Sequence, residues 1–492
     1  MTESANGSRS LILAAMIFAV AMTFIDQTIV SIAAPRIQSE LSLTGTDIQW
    51  AVNSYLLALA ALFAFGGRLA DTVGDRRMVV IGIVVFAAAS AMCGLTPKGS
   101  GAEAWLVTFR AVQGIGGALM YPAALAIVVG HYPVADRGKA LALFFGIAGG
   151  LTAVGPALGG YLTEWTWRAI FWINIPVAVI ALLLIVKAKP VNRAKPAPLD
   201  YRGLALITGG AGLSVFGFQQ SASWGWSNPL TWLTIVVGAA LLVVFFRVER
   251  HTENPLINVR FFADRPFLLD NVVLGVAMMA FVPIFFFASE YAQIALGENA
   301  SKASLTLLYF FAGFVVAAQV GGRMLDRVGP KRPIVLGCAL ACVGLALWAH
   351  QVPVLKIGPQ VWRIVLTGAG IGMMLGQTNT AALNRATDGT YGEATGITQT
   401  VRNYGSSLGL AVLGTILAHS SFFHATFNQI SDGPSPPSNG AFGLIPLEAR
   451  EAFANSIQHV LYAMSAIMGV AAVIALLTMQ RGHIEGTADL ST

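Results

Sequence analysis

Polar residues along this 492-residue chain are confined to short stretches between long apolar runs. A helix that crosses a bilayer needs about 20 mostly apolar residues. Runs of that order lie near 11–34, 48–70, 78–96, 105–130, 138–162, 168–186 and 203–221. Seven more lie near 231–247, 267–292, 303–322, 333–350, 360–384, 393–418 and 456–479. The pattern predicts an all-α polytopic membrane protein with fourteen spans. The first run is no signal peptide: it outlasts an h-region, carries Asp26 internally, and is followed by many runs like it.

Composition agrees with a lipid solvent. Charged residues make up 11% of the chain and apolar ones 55%, whereas soluble domains are about 25% charged. The 52 glycines suit close helix packing in a bilayer. The net charge of +6 would suggest nucleic acid in a soluble protein. Here its distribution gives another meaning. With the N-terminus inside, 21 Lys and Arg fall in inner loops and termini. Outer loops hold only Arg36, Lys98, Arg168, Lys302, Lys356 and Arg450, and Arg110, Arg363 and Arg402 fall within spans. The positive-inside rule then predicts both termini in the cytoplasm and excludes a nucleic-acid partner. Cys93, Cys338 and Cys342 read as core residues, with no metal-ligand spacing and no cofactor motif.

One internal repeat is plain. Residues 66–77 read GGRLADTVGDRR and residues 321–332 read GGRMLDRVGPKR, with seven of twelve positions identical at an offset of 255. Both copies follow the second span of a six-span set, which predicts two six-helix bundles related as parallel repeats. The expected division is a bundle over 1–186, a basic linker over 187–202, an inserted two-helix hairpin over 203–250, and a second bundle over 251–492. Four stretches carry a closer likeness: FIDQTIVSIAAP, GRLADTVGDRR, RAVQGIGGALMYP and GIAGGLTAVGPALGGYLTEWTWRAIFWINIP. With these the chain resembles, from end to end, the 14-helix drug:proton antiporter branch of the major facilitator superfamily. The resemblance implies the major facilitator fold and proton-coupled export of a small amphipathic molecule, a cation among the candidates, from a bacterial cytoplasmic membrane. Its partners would be that substrate, protons and membrane lipid. No phosphate-binding loop is present, since Gly114, Gly116 and Gly117 lie in an apolar span. Two other readings compete: an exporter of lipids or another endogenous amphiphile, and a sensor or scaffold without transport.

Asp26 is the acid expected near mid-span. A central Asp costs about 2.5–3.5 kcal/mol on insertion scales, so it should face a cavity, where it could exchange protons as its surroundings alternate between wet and dry. A structural polar contact is the blander reading. Arg110 needs an acceptor, or must snorkel outward from a position near Trp105. The resemblance assigns it to proton transfer beside an acid, while Gln113 is expected at the substrate cavity with Asp26, Glu290 and Arg402. Arg402 reads as either a backbone clamp or a substrate contact. Glu290 reads as a second acid for substrate or proton, or as a solvated helix end. Asp270, Glu298 and Glu393 are expected to be solvated at helix ends. In the fifth span, the pairs Gly146 and Gly150, and Gly155 and Gly159, each share a helical face, with Pro156 able to kink the helix. With Gly160 they match the run that the resembled family reserves for antiporters. Gly67, Asp71, Gly74, Arg76, Arg77 and, in the second copy, Asp326 are expected to latch an inner gate. Aromatics from Phe281 to Phe314 could line an apolar cavity or simply pack.

Overall fold

The computed structural model describes residues 2–132, 134–192, 194, 198–383, 391–418 and 446–479. Residues 419–445, between the last two expected spans, therefore lie outside the described residues, as do the side chain of Glu393 and the surroundings of Gly146. Every regular element among the described residues is helical. The first part of the chain forms α1 (Thr2–Leu41), α2 (Gly45–Val73), α3 (Asp75–Gly94), α4 (Ala102–His131), α5 (Val134–Trp165), α6 (Ala169–Trp172) and α7 (Asn174–Ala188). Next come α8 (Tyr201–Trp224) and α9 (Pro229–Glu249). The remainder forms α10 (Arg265–Glu290), α11 (Ala300–Val328), α12 (Lys331–Gln351), α13 (Val361–Leu383), α14 (Tyr391–Ala418) and α15 (Leu447–Thr478). With α6 and α7 sharing one span, helices stand at all fourteen expected positions. Among the described residues, ten spans are long and apolar enough to cross a membrane.

Local chemistry sets the helix ends. Thr44 and Asp47 form a reciprocal cap at the start of α2, with the Thr44 amide donating to Asp47 Oδ2 at 2.8 Å. The turn from α2 to α3 passes through Gly74 at φ 105°, and its counterpart from α11 to α12 through Gly329 at φ 76°. Both values lie where a Cβ is strained, which gives the repeated motif its glycine. Asn228 caps α9, and Pro229 occupies the first turn, where no amide donor is missed. α5 runs on through Pro156 as one helix.

The repeat recurs in three dimensions. Gly66 of α2 lies against the Ala118 carbonyl of α4, and Gly321 of α11 lies against the Met373 carbonyl of α13. Gly82 of α3 packs on Met120 and the Gly116 carbonyl, and Gly337 of α12 packs on Met374 and the Gly370 carbonyl. These partners are themselves related by 254 or 255 residues, so the two halves share contacts as well as sequence. In hydrocarbon the hydrophobic effect does not press helices together. Close backbone approach through small residues supplies the dispersion contacts that do.

The halves meet chiefly along three helix pairs, α1 with α10, α2 with α14, and α5 with α11, with lesser contacts of α4 on α14 and of α1 on α11. Several of the joining contacts cluster away from the chain ends. Gln293 Nε2 donates to the Ile32 carbonyl at 2.8 Å, Gly160 sits against Ser304 and Ala300, and Gly414 packs on the Gln49 side chain. α8 packs on α9, with Gly238 against Ser214 and the Gly210 carbonyl, and also reaches α2 and α14. Asn53 Nδ2 of α2 donates to Gln219 Oε1 of α8 at 2.6 Å, and Ser407 Oγ of α14 donates to Asn53 Oδ1 at 2.5 Å. α9 turns Trp232, Leu233, Val236 and Val243 outward, as a lipid-facing helix should.

The glycine contacts predict a matched pair of defects. Gly82→Leu and Gly337→Leu should each destabilise the detergent-solubilised protein by about 1–3 kcal/mol, the usual cost of overpacking. Gly212→Leu, with nothing within 4 Å of its Cβ position, should leave the thermal midpoint almost unchanged. A midpoint for Gly337→Leu equal to that of Gly212→Leu would mean α12 and α13 are not in contact there.

Candidate functional site

Asp26 sits in the middle of α1, and its carboxylate is fully enclosed by α2, α3 and α4. Arg110 Nη1 donates to Asp26 Oδ2 at 2.6 Å and to Gln113 Oε1 at 2.7 Å, and Gln113 Nε2 donates to Asp26 Oδ1 at 2.9 Å. The spacing is what lets α4 do this: positions 110 and 113 are neighbours on one helical face. Arg110 Nε donates to the Ala51 carbonyl of α2 at 3.0 Å, and the Tyr55 ring lies 4.4 Å from the guanidinium carbon. Both carboxylate oxygens and two sides of the guanidinium are therefore satisfied without water.

The network continues away from α1. Gln113 Nε2 also lies 3.4 Å from Ser90 Oγ of α3, which accepts from Asn174 Nδ2 of α7 at 2.9 Å and donates to the Phe171 carbonyl at 2.8 Å. Asp26, Arg110 and Gln113 thus stand together. The snorkelling alternative for Arg110 does not occur, because an acid at the same depth draws it inward. Neither Asp26, at 1% exposure, nor Gln113, at 0%, opens onto a cavity in this conformation. The expectation that they face one is corrected: the pair has closed on itself inside the first half. Ser90 and Asn174 were missed, although each is a lone polar residue in an apolar run, and that is the signal that marks them.

The α5 glycines stand beside this pair. Gly155 lies against Thr28 and the Ile25 carbonyl of α1, and Gly159 against Ile29 and Ile32. Thr28 Oγ1 donates to the Thr152 carbonyl at 3.0 Å. Gly160, on another face, crosses to Ser304 of α11. Gly150 has nothing within 4 Å of its Cβ position, so it makes no such contact here.

The second half contributes two buried charges. Glu290 ends α10 immediately before a single π turn, Tyr291–Ala295, and is 4% exposed, so the solvated reading is wrong. The turn places Gln293 on Ile32 and Ser289, and Tyr291 under Val352 and Gln360, which draws this end of the helix into the protein. Arg402 of α14 is nine-tenths buried at the seam with α1 and α4. Asp270 is corrected likewise: α10 begins five residues earlier, at Arg265, and carries Asp270 inside at 1% exposure. Glu298 is partly exposed and meets Lys302 at 3.2 Å. Phe281, Phe285, Phe310, Phe311 and Phe314 pack on one another, with Phe285 and Phe311 stacked at 5.4 Å, so they form core rather than cavity wall.

At the motif after α2, Gly67 approaches Pro122, Gly74 is covered by Asn192, and the Arg77 amide donates to Asn192 Oδ1 at 3.4 Å. Arg68 donates through Nε and Nη2 to the Pro255 carbonyl at 3.2 and 2.8 Å, tying this loop to the segment that follows α9. Asp71 and Arg77 are exposed, Arg76 is partly so, and Asp326 is exposed in the second copy. Cys93, Cys338 and Cys342 are free thiols, and the described residues hold no metal-ligand cluster.

Residues 16–410 match the family described as Major Facilitator Superfamily. A tetracenomycin C resistance and export protein of Streptomyces glaucescens is 34% identical over 412 residues, covering 82% of this chain and 75% of that protein. A puromycin resistance protein of Streptomyces alboniger is 33% identical over 418 residues, covering 82% of this chain and 80% of that one. Among solved structures, a bacterial homolog of the human lysosomal transporter Spinster superposes with a TM-score of 0.67. It is 17% identical over 96% of this chain and 97% of its own, a likeness of fold.

The buried pair makes a thermodynamic prediction. Arg110→Met strands the Asp26 carboxylate and should destabilise the protein by about 3–5 kcal/mol. The double variant Asp26→Leu/Arg110→Met, which removes both charges, should be more stable than Arg110→Met alone in detergent melts. If the double variant is the less stable of the two, the pair is not acting as a mutually dependent unit.

Proposed function

The chain belongs to the Major Facilitator Superfamily, and we propose that within it the protein is a drug or amphipathic-metabolite:proton antiporter of the 14-span branch, working by alternating access. Members of this family move solutes and are not enzymes, and the matched relatives are named for antibiotic resistance and export. The observation that carries the finer reading is the buried pair of Asp26 with Arg110, placed on the stretch of α1 against which the α5 glycines seat.

A proton added to Asp26 cancels the charge that Arg110 holds at 2.6 Å. The charge-assisted bond weakens to an ordinary one, and the grip between α1 and α4 loosens. α5 follows α1, because Gly155 and Gly159 leave no side chain to take up slack, and through Gly160 α5 bears on α11 across the seam. Protonation is thereby coupled to the contact between halves. Small-molecule export against a proton gradient is the function this linkage suits. Glu290 stands at another stretch of the seam's first helix pair and is the reserve candidate for a second proton site. In this reading α8 and α9 are an inserted hairpin between six-helix bundles, and the loop holding Gly67, Asp71, Gly74, Arg76 and Arg77, with Asp326 in its second copy, works the inner gate.

Transport tests the coupling directly. In proteoliposomes under an imposed pH gradient, with a panel of cationic, neutral and anionic amphiphiles, Asp26→Asn should abolish uphill movement while counterflow down a substrate gradient persists. Substrate-induced proton release from the detergent-solubilised variant should vanish too. Uphill transport by Asp26→Asn at the parent rate would move the proton carrier elsewhere, with Glu290→Gln the next variant to measure.

Orientation is tested by labelling. With both termini cytoplasmic, as the charge asymmetry requires, a membrane-impermeant maleimide applied from outside should modify Ser438→Cys and miss Ser4→Cys. The opposite pattern would invert inner and outer throughout.

A further inference from the structure

Arg110 and Arg402 are both buried arginines, but they are provided for differently. Arg110 has Ala51, Asp26 and Gln113 as acceptors. The guanidinium of Arg402 has no hydrogen-bond acceptor and no carboxylate among the described residues, although the residue is only 9% exposed. It stands near Tyr121 and near the face of Phe24, the latter at 6.0 Å from guanidinium carbon to ring centroid, the limit of a useful cation–π contact. A guanidinium keeps its proton at physiological pH and presents five donors in a planar fork. A buried charge without a counter-charge is expensive, and such residues inside spans mark ligand paths.

The setting is specific. Arg402 lies on α14 of the second half and reaches toward α1 and α4 of the first. One turn earlier Gln399 Nε2 donates to the Tyr121 hydroxyl at 3.4 Å, and five residues later Ser407 bonds Asn53. Phe24, Tyr121 and Phe63 form an aromatic wall there, with centroids 5.8 Å apart for Phe24 and Tyr121 and 5.3 Å for Phe63 and Tyr121. Five free donors beside flat apolar faces, at the boundary between two moving halves, fit one ligand chemistry: a planar oxyanion attached to an aromatic body. Among the described residues no carbonyl receives the Arg402 fork, which tells against the backbone-clamp reading.

We propose that Arg402 is the specificity-determining residue of the transport site and selects aromatic acids, its fork pairing with a carboxylate or similar oxyanion while the rings lie against Phe24 and Tyr121. The assignment rests on the exporter reading and narrows its substrate from an amphiphile of open charge to an anion. A bidentate pair at this depth is shielded from water, so loss of the charge should be felt by the acid far more than by an uncharged analogue.

Three probes of one shape separate the possibilities: 2-naphthoate, 2-naphthamide and 2-naphthyltrimethylammonium, titrated against the full-length protein in detergent by tryptophan fluorescence. The parent should bind the carboxylate at least tenfold more tightly than the amide, and the cation weakest. Arg402→Gln should bring the carboxylate-to-amide ratio close to one. Arg402→Lys, which keeps the charge but loses the fork, should retain part of it, and it decides the matter if the Gln variant does not fold. A parent that prefers the cation, fails to discriminate or binds none of the three would overturn the assignment. So would an undiminished ratio in a folded Arg402→Gln, or in Arg402→Lys where the Gln variant does not fold, either of which would leave Arg402 as a partner for an acid of the chain itself. Gradient-driven movement in vesicles is read separately: its absence with carboxylate selectivity intact counts against the exporter and not against Arg402.

Discussion

A carboxylate and a guanidinium held 2.6 Å apart, both out of reach of water, set the terms for the first half of the molecule. Removing two ions from solvent costs several kcal/mol for each, and their attraction repays this only when every remaining donor and acceptor is met. That requirement explains why the pair is surrounded as it is. Gln113 serves both ions, Ala51 supplies a carbonyl from α2, and Ser90 and Asn174 extend the bonding into α3 and α7. Four helices are thereby fixed around one point on α1. A hydrophobic replacement would fold at least as well. A dissociable proton retained at that position is what the proton coupling proposed above would use.

Much of this was legible from the chain alone. Apolar run lengths located the helices, because backbone groups in hydrocarbon have few other ways to be satisfied. The duplicated motif at residues 66 and 321 announced the two related halves, and their glycine contacts follow the same offset. Residue type required only that the buried Arg110 find an acceptor; that an acid stands beside it was implied by the family resemblance. Their withdrawal from any cavity was not readable, because enclosure depends on α2 and α3 closing over them. Asp270 and Glu290 were misjudged for a related reason. Hydropathy shows that a run is ending, but it does not show whether neighbouring helices extend past that end and cover it.

The two buried arginines show how burial separates roles that sequence leaves merged. Both lie in apolar runs beside small and polar residues. Only the packing distinguishes a cation whose acceptors are supplied by the protein from one that has none among the described residues.

The three-way junction at Asn53 bears on how the molecule moves. α8 has one side-chain hydrogen bond to α2, through Gln219, whereas toward α14 it has Ser214 on the Tyr404 hydroxyl, Ser221 on the Thr415 hydroxyl, and the Phe218 carbonyl receiving Thr415. Parting α2 from α14 would break fewer hydrogen bonds of α8 on the α2 side, where the Trp50 and Phe216 rings also meet at 5.8 Å, than on the α14 side. In the alternating-access cycle proposed above, α8 and α9 would then stay with the second half, as a body of eight helices against one of six.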